Sequence, residues 1–317
     1  MKVLVTGGAG FIGLNFALMY QDGAFPSFNE LDILDRFSTG SHSESYLRKK
    51  LDDKIKIFNS DLCDLNSYLH LIARYDLVIH FAAESHVDRS IDSPVAFTHD
   101  NVLSTLNILE AVRQNPKTRI VLISTDEVYG SSYGESFDES ASLMPNSPYA
   151  ASKAAGDVIA RAYMQTYDLN ILITRCTNNF GPYQNTEKFL PKCIVNSLSD
   201  QVIPVYGSGK QQRNWIYVKD HCTAIYLLSI SDKKGIFNVS GLAEFQNIDL
   251  AYKIIEAING TKATVRFVPD RKAHDIRYVI NDSKFRGLFP KFELTPFDYA
   301  LSETIVWYSG MLSNLNE

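Results

Sequence analysis

Short apolar runs at Val3–Thr6, Leu31–Leu34, Lys54–Phe58, Leu77–Phe81, Ile120–Ile123 and Ile171–Thr174 punctuate the first half of the chain. Between several of them lie longer segments with apolar residues at helical spacing, notably Val95–Gln114 and Tyr149–Tyr167. Runs too short for helices, alternating with amphipathic helices, predict a parallel sheet covered by helices on both faces. After Cys176 the rhythm loosens: Gly181-Pro182, Pro191, Pro204, Gly207, Gly209, Pro269, Pro290 and Pro296 break the chain into shorter elements. Ile236–Val239 still reads as a strand and is expected to return to the first sheet. The expected fold class is therefore α/β, a doubly wound parallel sheet of Rossmann type with a smaller mixed α/β C-terminal lobe. A soft boundary near residue 178 leaves residues 1–178, with 214–241 returning, as one domain, and 179–213 with 242–317 as the other.

Composition removes several classes of function. With 317 residues, 45% hydrophobic and 21% charged, the chain has the profile of an ordinary globular protein. A net charge of −5 and the lack of any lysine–arginine block argue against nucleic acid or an anionic membrane as partner. Four cysteines, with no CxxC, read as reduced thiols and predict no metal site. Met1-Lys2-Val3-Leu4-Val5 runs straight into glycines as a first strand would, and not as a signal peptide. No apolar stretch approaches the roughly 18 residues of a membrane span. The cytoplasm is the expected compartment.

Two groups of residues carry chemistry. Gly7-Gly8-Ala9-Gly10-Phe11-Ile12-Gly13 follows the first strand and opens a helix, so its backbone N–H groups can approach a pyrophosphate at the helix N-terminus. Asp35 ends the second strand, where a carboxylate can accept from an adenosine ribose and favours NAD over NADP, although Arg36 beside it is the residue type that accommodates a 2′-phosphate. Asp61-Leu62 can contact the adenine or simply cap a loop, and the small Ala82-Ala83 would let a dinucleotide cross the sheet edge. The second group is Ser124-Thr125-Asp126-Glu127-Val128-Tyr129-Gly130, past the fifth strand, with Tyr149 and Lys153 about twenty residues on. The YxxxK spacing puts phenol and ammonium on one helical face, where the ammonium would favour the phenolate as a base for a substrate alcohol. Taken alone, Thr125 reads as a strand-ending β-branched residue and Asp126-Glu127 as a solvated turn; their place at a strand end beside a nucleotide loop raises them above that.

With these motifs the chain resembles the nucleotide-diphosphate-glucose 4,6-dehydratases of the extended short-chain dehydrogenase/reductase superfamily. The likeness runs through nearly the whole chain: Gly7–Gly13, His80–Ser90, Ser124–Gly130, Ser147–Lys153, Arg175–Tyr183, Glu187–Pro191, Tyr206–Asp220 and Asp270–Tyr278. The acidic pair within Ser124–Gly130 is what separates dehydratases from the sister 4-epimerases. The resemblance implies a closed redox cycle. Tyr149, helped by Lys153 and Thr125, deprotonates the glucose 4-hydroxyl as hydride moves to NAD; Glu127 removes the C5 proton; Asp126 protonates the departing 6-hydroxyl; and hydride returns to C6. It also implies cofactor contacts by Asp100 and Asn178. Substrate contacts by Ser85, Asn179, Lys188, Leu190, Pro204, Tyr206, Arg213, Asn247, Arg271 and His274 follow in the same way, together with a homodimer built on two long helices per subunit. The expected substrate is dTDP-glucose, with UDP-glucose, a 4-epimerase and a non-catalytic dinucleotide sensor as alternatives. Neither His80 nor His86 is given a chemical role. Three departures from the family stand out: Lys272-Ala273 in place of proline-glycine, Asp100 in place of threonine, and a Ser38–Tyr46 segment without the alanine-glycine-asparagine run.

Overall fold

The computed structural model describes residues 1–315. Its first half runs β1 (Lys2–Thr6), α1 (Phe11–Gln21), β2 (Glu30–Asp35), α2 (Glu44–Lys50), β3 (Ile57–Asn59), α3 (Leu65–Ile72), β4 (Leu77–His80), α4 (Val87–Asp92), α5 (Pro94–Gln114), β5 (Arg119–Thr125), a 3₁₀ turn (Asp126–Tyr129), α6 (Pro148–Tyr167) and β6 (Ile171–Cys176). The strands are continuous apolar runs because both faces of the sheet are covered. Val3, Val5, Ile33, Ile79, Val121 and Leu172 point to one face, against Leu14 and Phe16 of α1. The alternate residues Leu4, Leu34, Val78, Ile120, Leu122 and Ile173 point to the other, against Leu71, Ile108, Val112 and Ala160 from α3, α5 and α6. Each such side chain taken fully out of water contributes about 1.5–3 kcal/mol, so a polar residue at any of these positions unseats a layer.

The second half runs β7 (Asn178–Phe180), α7 (Phe189–Leu198), β8 (Val202–Tyr206), β9 (Gln212–Tyr217), α8 (Val218–Ile230), β10 (Gly235–Val239), β11 (Ala243–Gln246), α9 (Asn247–Ala257), β12 (Thr264–Val268), α10 (Ser283–Leu288) and α11 (Phe297–Leu315). The main sheet has the order β10-β6-β5-β4-β1-β2-β3 with every pairing parallel. The chain thus leaves β1 in both directions, and the crevice lies beyond the carboxyl ends of β1 and β4, where the order reverses. Two small sheets, β11-β9-β7 and β12-β8, form the second lobe. Within 214–241, α8 and β10 join the main sheet, Ile225 and Leu228 packing with the α1 side, whereas β9 belongs to the three-stranded sheet. The third strand is shorter than its apolar run: Lys54 and Ile55 precede it as a turn, because β3 pairs only with Ile33, Leu34 and Asp35. Among the described residues no helix is long and apolar enough to cross a membrane.

Candidate active site

The glycine loop between β1 and α1 is shaped by close approach. Gly7 has φ 71°, and a Cβ there would lie 2.5 Å from the backbone nitrogen of Ala82. A Cβ on Gly13 would lie 2.3 Å from the carbonyl oxygen of Gly7. Gly10 caps α1 without any side-chain acceptor, so the N–H groups of Phe11, Ile12 and Gly13 are left to the cavity they line. Asp35 accepts from the Ala9 N–H at 2.9 Å and the Phe37 N–H at 2.8 Å, which holds its carboxylate at the mouth of the loop. Uncapped donors and a fixed carboxylate suit the pyrophosphate and ribose of a dinucleotide. Asp61 also caps locally, its Oδ1 accepting from Cys63 N–H at 2.8 Å, while lining the same cavity with Leu62, Ala82, Ala83, Asp100 and Asn178.

The acid-base residues come from β5, the turn after it and α6. Thr125 caps the turn: its Oγ1 accepts from Glu127 N–H at 3.3 Å and donates to Asp126 Oδ1 at 3.2 Å. Ser147 accepts from Ala150 N–H at 3.1 Å, and Pro148 supplies a first helical residue without a wasted donor, so α6 begins one residue before Tyr149. The Tyr149 N–H donates to Ser90 Oγ at 3.2 Å, and Lys153 Nζ, one turn on, donates to the Ile123 carbonyl at 2.7 Å. Lys153 therefore grips the end of β5, and burial draws it below the ordinary lysine value.

Thr125, Glu127, Tyr149 and Lys153 line one continuous cavity with the dinucleotide residues, but Asp126 does not. Asp126 is 2% exposed and tucked behind Thr125, its Oδ2 without a hydrogen-bond partner. Burial, then the neighbouring Glu127 charge, pushes Asp126 up to about 8, so it carries a proton at neutral pH. Glu127 is also raised by burial, but Arg271, Arg213 and Lys188 pull it back towards the carboxylate. Tyr149 differs from expectation: it lies well above the ordinary tyrosine value, because burial, and after it the Glu127 charge, outweigh the Thr125 hydroxyl. The helical spacing gave the ammonium's position on the face, but not its attachment to Ile123. His80, 1% exposed, hydrogen-bonds Thr6 at 2.8 Å and is drawn down to about 3 by burial and by Lys153, so it stays neutral.

The second lobe supplies the rest of the cavity wall, and Ser85, Asn179, Lys188, Leu190, Pro204, Tyr206, Arg213, Asn247, Arg271 and His274 all line it. Arg213 donates to the Asp275 carbonyl at 2.9 Å and lies 4.1 Å over the Tyr278 ring. Lys188 donates to the Ser85 carbonyl at 2.5 Å, and Asn179 accepts from His221 at 2.9 Å. His274 contacts Asp270 at 2.6 Å, next to Arg271. Three cations converge on the Glu127 side of the cavity, a setting for a diphosphate. Sequence reasoning assigned nothing to Asp88, although the His80–Ser90 motif contains it. Its carboxylate lines the cavity, accepts from the Tyr206 hydroxyl at 3.1 Å and lies 3.7 Å from the Arg271 guanidinium. Among the described residues, one trio, Cys63, His99 and Asp100, brings three potential metal-ligand atoms within 4.8 Å of one another. Asp100 is already paired with Arg36 at 2.6 Å, and burial holds the Cys63 thiol protonated, up to about 11.

A nucleotide loop, a tyrosine–lysine pair and an acid and a base on one turn define a sugar-nucleotide dehydratase of the extended short-chain dehydrogenase type, and the chain belongs to the family described as GDP-mannose 4,6 dehydratase, which matches residues 4–289. It is 40% identical over 314 residues to the dTDP-glucose 4,6-dehydratase of Streptomyces niveus, covering 97% of this chain and 93% of the relative. The crystal structure of DesIV (dTDP-glucose 4,6-dehydratase) from Streptomyces venezuelae with NAD and TYD bound superposes with a TM-score of 0.92 at 38% identity, covering 98% of this chain and 97% of that one. A dTDP-glucose 4,6-dehydratase from Bacillus anthracis in complex with NAD gives a TM-score of 0.87 at 34% identity, covering 98% and 97%.

Proposed function

We propose that this chain converts dTDP-glucose to dTDP-4-keto-6-deoxyglucose and water, using NAD held along Gly7–Gly13 and Asp35. The observation that carries the reading is the split between Asp126 and Glu127: adjacent carboxyls, one protonated up to about 8 behind the wall, the other lining it beside three cations. A 4-epimerase needs no second acid-base pair, whereas an elimination needs a base for C5 and an acid for the C6 hydroxyl. Bound NAD supplies the hydride acceptor for C4, the hydride donor for C6 and, when oxidised, a positive ring charge that favours the Tyr149 phenolate. Tyr149 takes the 4-hydroxyl proton, with Lys153 holding the end of β5 and Thr125 steadying the oxygen. The 4-ketone acidifies C5–H, and Glu127 removes that proton. Asp126 passes its proton to the 6-hydroxyl, which leaves as water, and once hydride has gone to C6 Glu127 returns its proton to C5. Arg213, Arg271 and Lys188 hold the diphosphate throughout.

Four free cysteines, three of them buried, support the cytoplasm as the compartment. Val95, Val158 and Tyr167 stand exposed on α5 and α6, which supports pairing of two copies through those helices. The test is incubation of purified protein with dTDP-glucose and with UDP-glucose, scoring ketosugar by its near-ultraviolet absorbance in base. Ketosugar from dTDP-glucose supports the reading, and preferential turnover of UDP-glucose reassigns the base. A product inverted at C4 that keeps its 6-hydroxyl makes the enzyme an epimerase and sinks it.

A further inference from the structure

The chain carries two contradictory signals at the adenosine end of the cavity. In this fold an acid after β2 meets the ribose 2′-hydroxyl, while an arginine nearby can receive a 2′-phosphate. Asp35 is the first, and Arg36, directly after it, is the second. The side chains decide between them. Arg36 Nη2 donates to Asp100 Oδ2 at 2.6 Å and to Glu84 Oε1 at 3.2 Å, and Nη1 donates to Asp61 Oδ2 at 3.4 Å. These acids come from three places, α5, the end of β4 and the end of β3, and all line the cavity. Asp100 makes the shortest contact, and its other oxygen meets His99 Nδ1 at 3.0 Å, which fixes the carboxylate's direction. Three carboxylates, Asp100, Glu84 and Asp61, thus hold one guanidinium. A 2′-phosphate would have to take Arg36 from Asp100 and then sit among uncompensated acids, whereas a hydroxyl demands neither.

We propose that Asp100 is a specificity-determining residue for the dinucleotide: by holding Arg36, with Glu84 and Asp61 behind it, it denies a 2′-phosphate that cation and so enforces NAD over NADP. The inference rests on the reading that the cavity takes NAD. It also gives the departure at this position a purpose, since the threonine usual in the family carries no charge to hold a guanidinium.

The experiment is calorimetric titration of the full chain with NAD+ and with NADP+, independent of turnover, for wild type, Asp100→Thr, Asp100→Asn, Arg36→Ala and the Asp100→Thr/Arg36→Ala double variant. Freeing Arg36 should raise the affinity for NADP+ relative to NAD+ by about tenfold or more in both Asp100 variants, and measurable NAD+ binding shows that the site remains folded. Adding Arg36→Ala should erase the gain. An unchanged NADP+/NAD+ ratio in Asp100 variants that still bind NAD+ overturns the proposal. So does a gain that survives in the double variant, since it would then come from lost acid charge and not from a released arginine. A wild type that binds neither nucleotide, or binds NADP+ as well as NAD+, overturns the cofactor reading itself.

Discussion

Asp126 and Glu127 are chain neighbours with opposite accessibility, and their titration should be readable in turnover. In its proposed role as acid, Asp126 serves only while protonated, so kcat should fall as pH rises through about 8. Glu127, the proposed base, serves only when ionised, and burial raises it, so the acid limb should lie above the ordinary carboxylate value of 4.5. Asp126→Asn should remove the alkaline limb and cost about 10²–10⁴-fold in turnover, measured as ketosugar formed per unit time. Glu127→Gln should leave C4 oxidation possible while stopping elimination; NADH should then accumulate in stopped-flow absorbance, and wild-type ketosugar formation would refute its role as base. The same proton affects stability. Folded Asp126 holds it up to about 8 where the unfolded chain gives it up near 3.8, so Asp126 makes the fold less stable as pH climbs between those values. The residue types needed for the chemistry were legible in the heptad and in the tyrosine–lysine spacing. That Asp126 stands behind the wall while Glu127 lines it was not, because the sequence cannot tell which side of a 3₁₀ turn is roofed by a second lobe.

Beneath the Asp126–Tyr129 turn, elements are tied by a buried network that no local motif announces. Arg175 of β6, 1% exposed, donates to Asp157 of α6 at 2.7 Å and to the Tyr129 hydroxyl at 2.8 Å, and Tyr129 in turn donates to Asn238 of β10 at 2.8 Å. Removing either charge strands the other, so Asp157→Asn or Arg175→Met should lower stability by about 3–5 kcal/mol in urea unfolding, while an apolar replacement of both should recover much of it. At the loop holding Arg271 and His274, Ala273 stands at φ 50°, a left-handed conformation that costs an alanine about 1–2 kcal/mol. Ala273→Gly should therefore stabilise the fold by up to about 1 kcal/mol once the added unfolded-state freedom is subtracted, read as a higher melting temperature. The strands of the main sheet were legible because burial on both faces leaves continuous apolar runs. The pair β8–β12 was not: β12 is largely exposed, and its partner lies far away in the chain, so neither period nor proximity marks it.

At the scale of the molecule, the return of Ile236–Val239 to the first sheet was legible from one apolar strand among breakers, and it appears as β10 against β6. The lobes meet over the cavity through side chains far apart in sequence, Asp88 with Tyr206 and Arg271 among them, which is why the site could be listed by residue type but not assembled in advance. The proposed pairing through α5 and α6 predicts twice the chain mass in light scattering, and Val158→Arg, at a position 53% exposed, should shift it towards one chain. The late return of β10 has a consequence for the chain as it is made. Until Gly235–Val239 leaves the ribosome, the outer edge of β6 offers unpaired amides beside Ile171, Leu172 and Ile173, and the whole of β7 to α8 must be translated first. At ordinary translation speeds that vulnerable interval lasts on the order of several seconds. Slow codons or a stall in that span should send nascent chains to chaperones or aggregates.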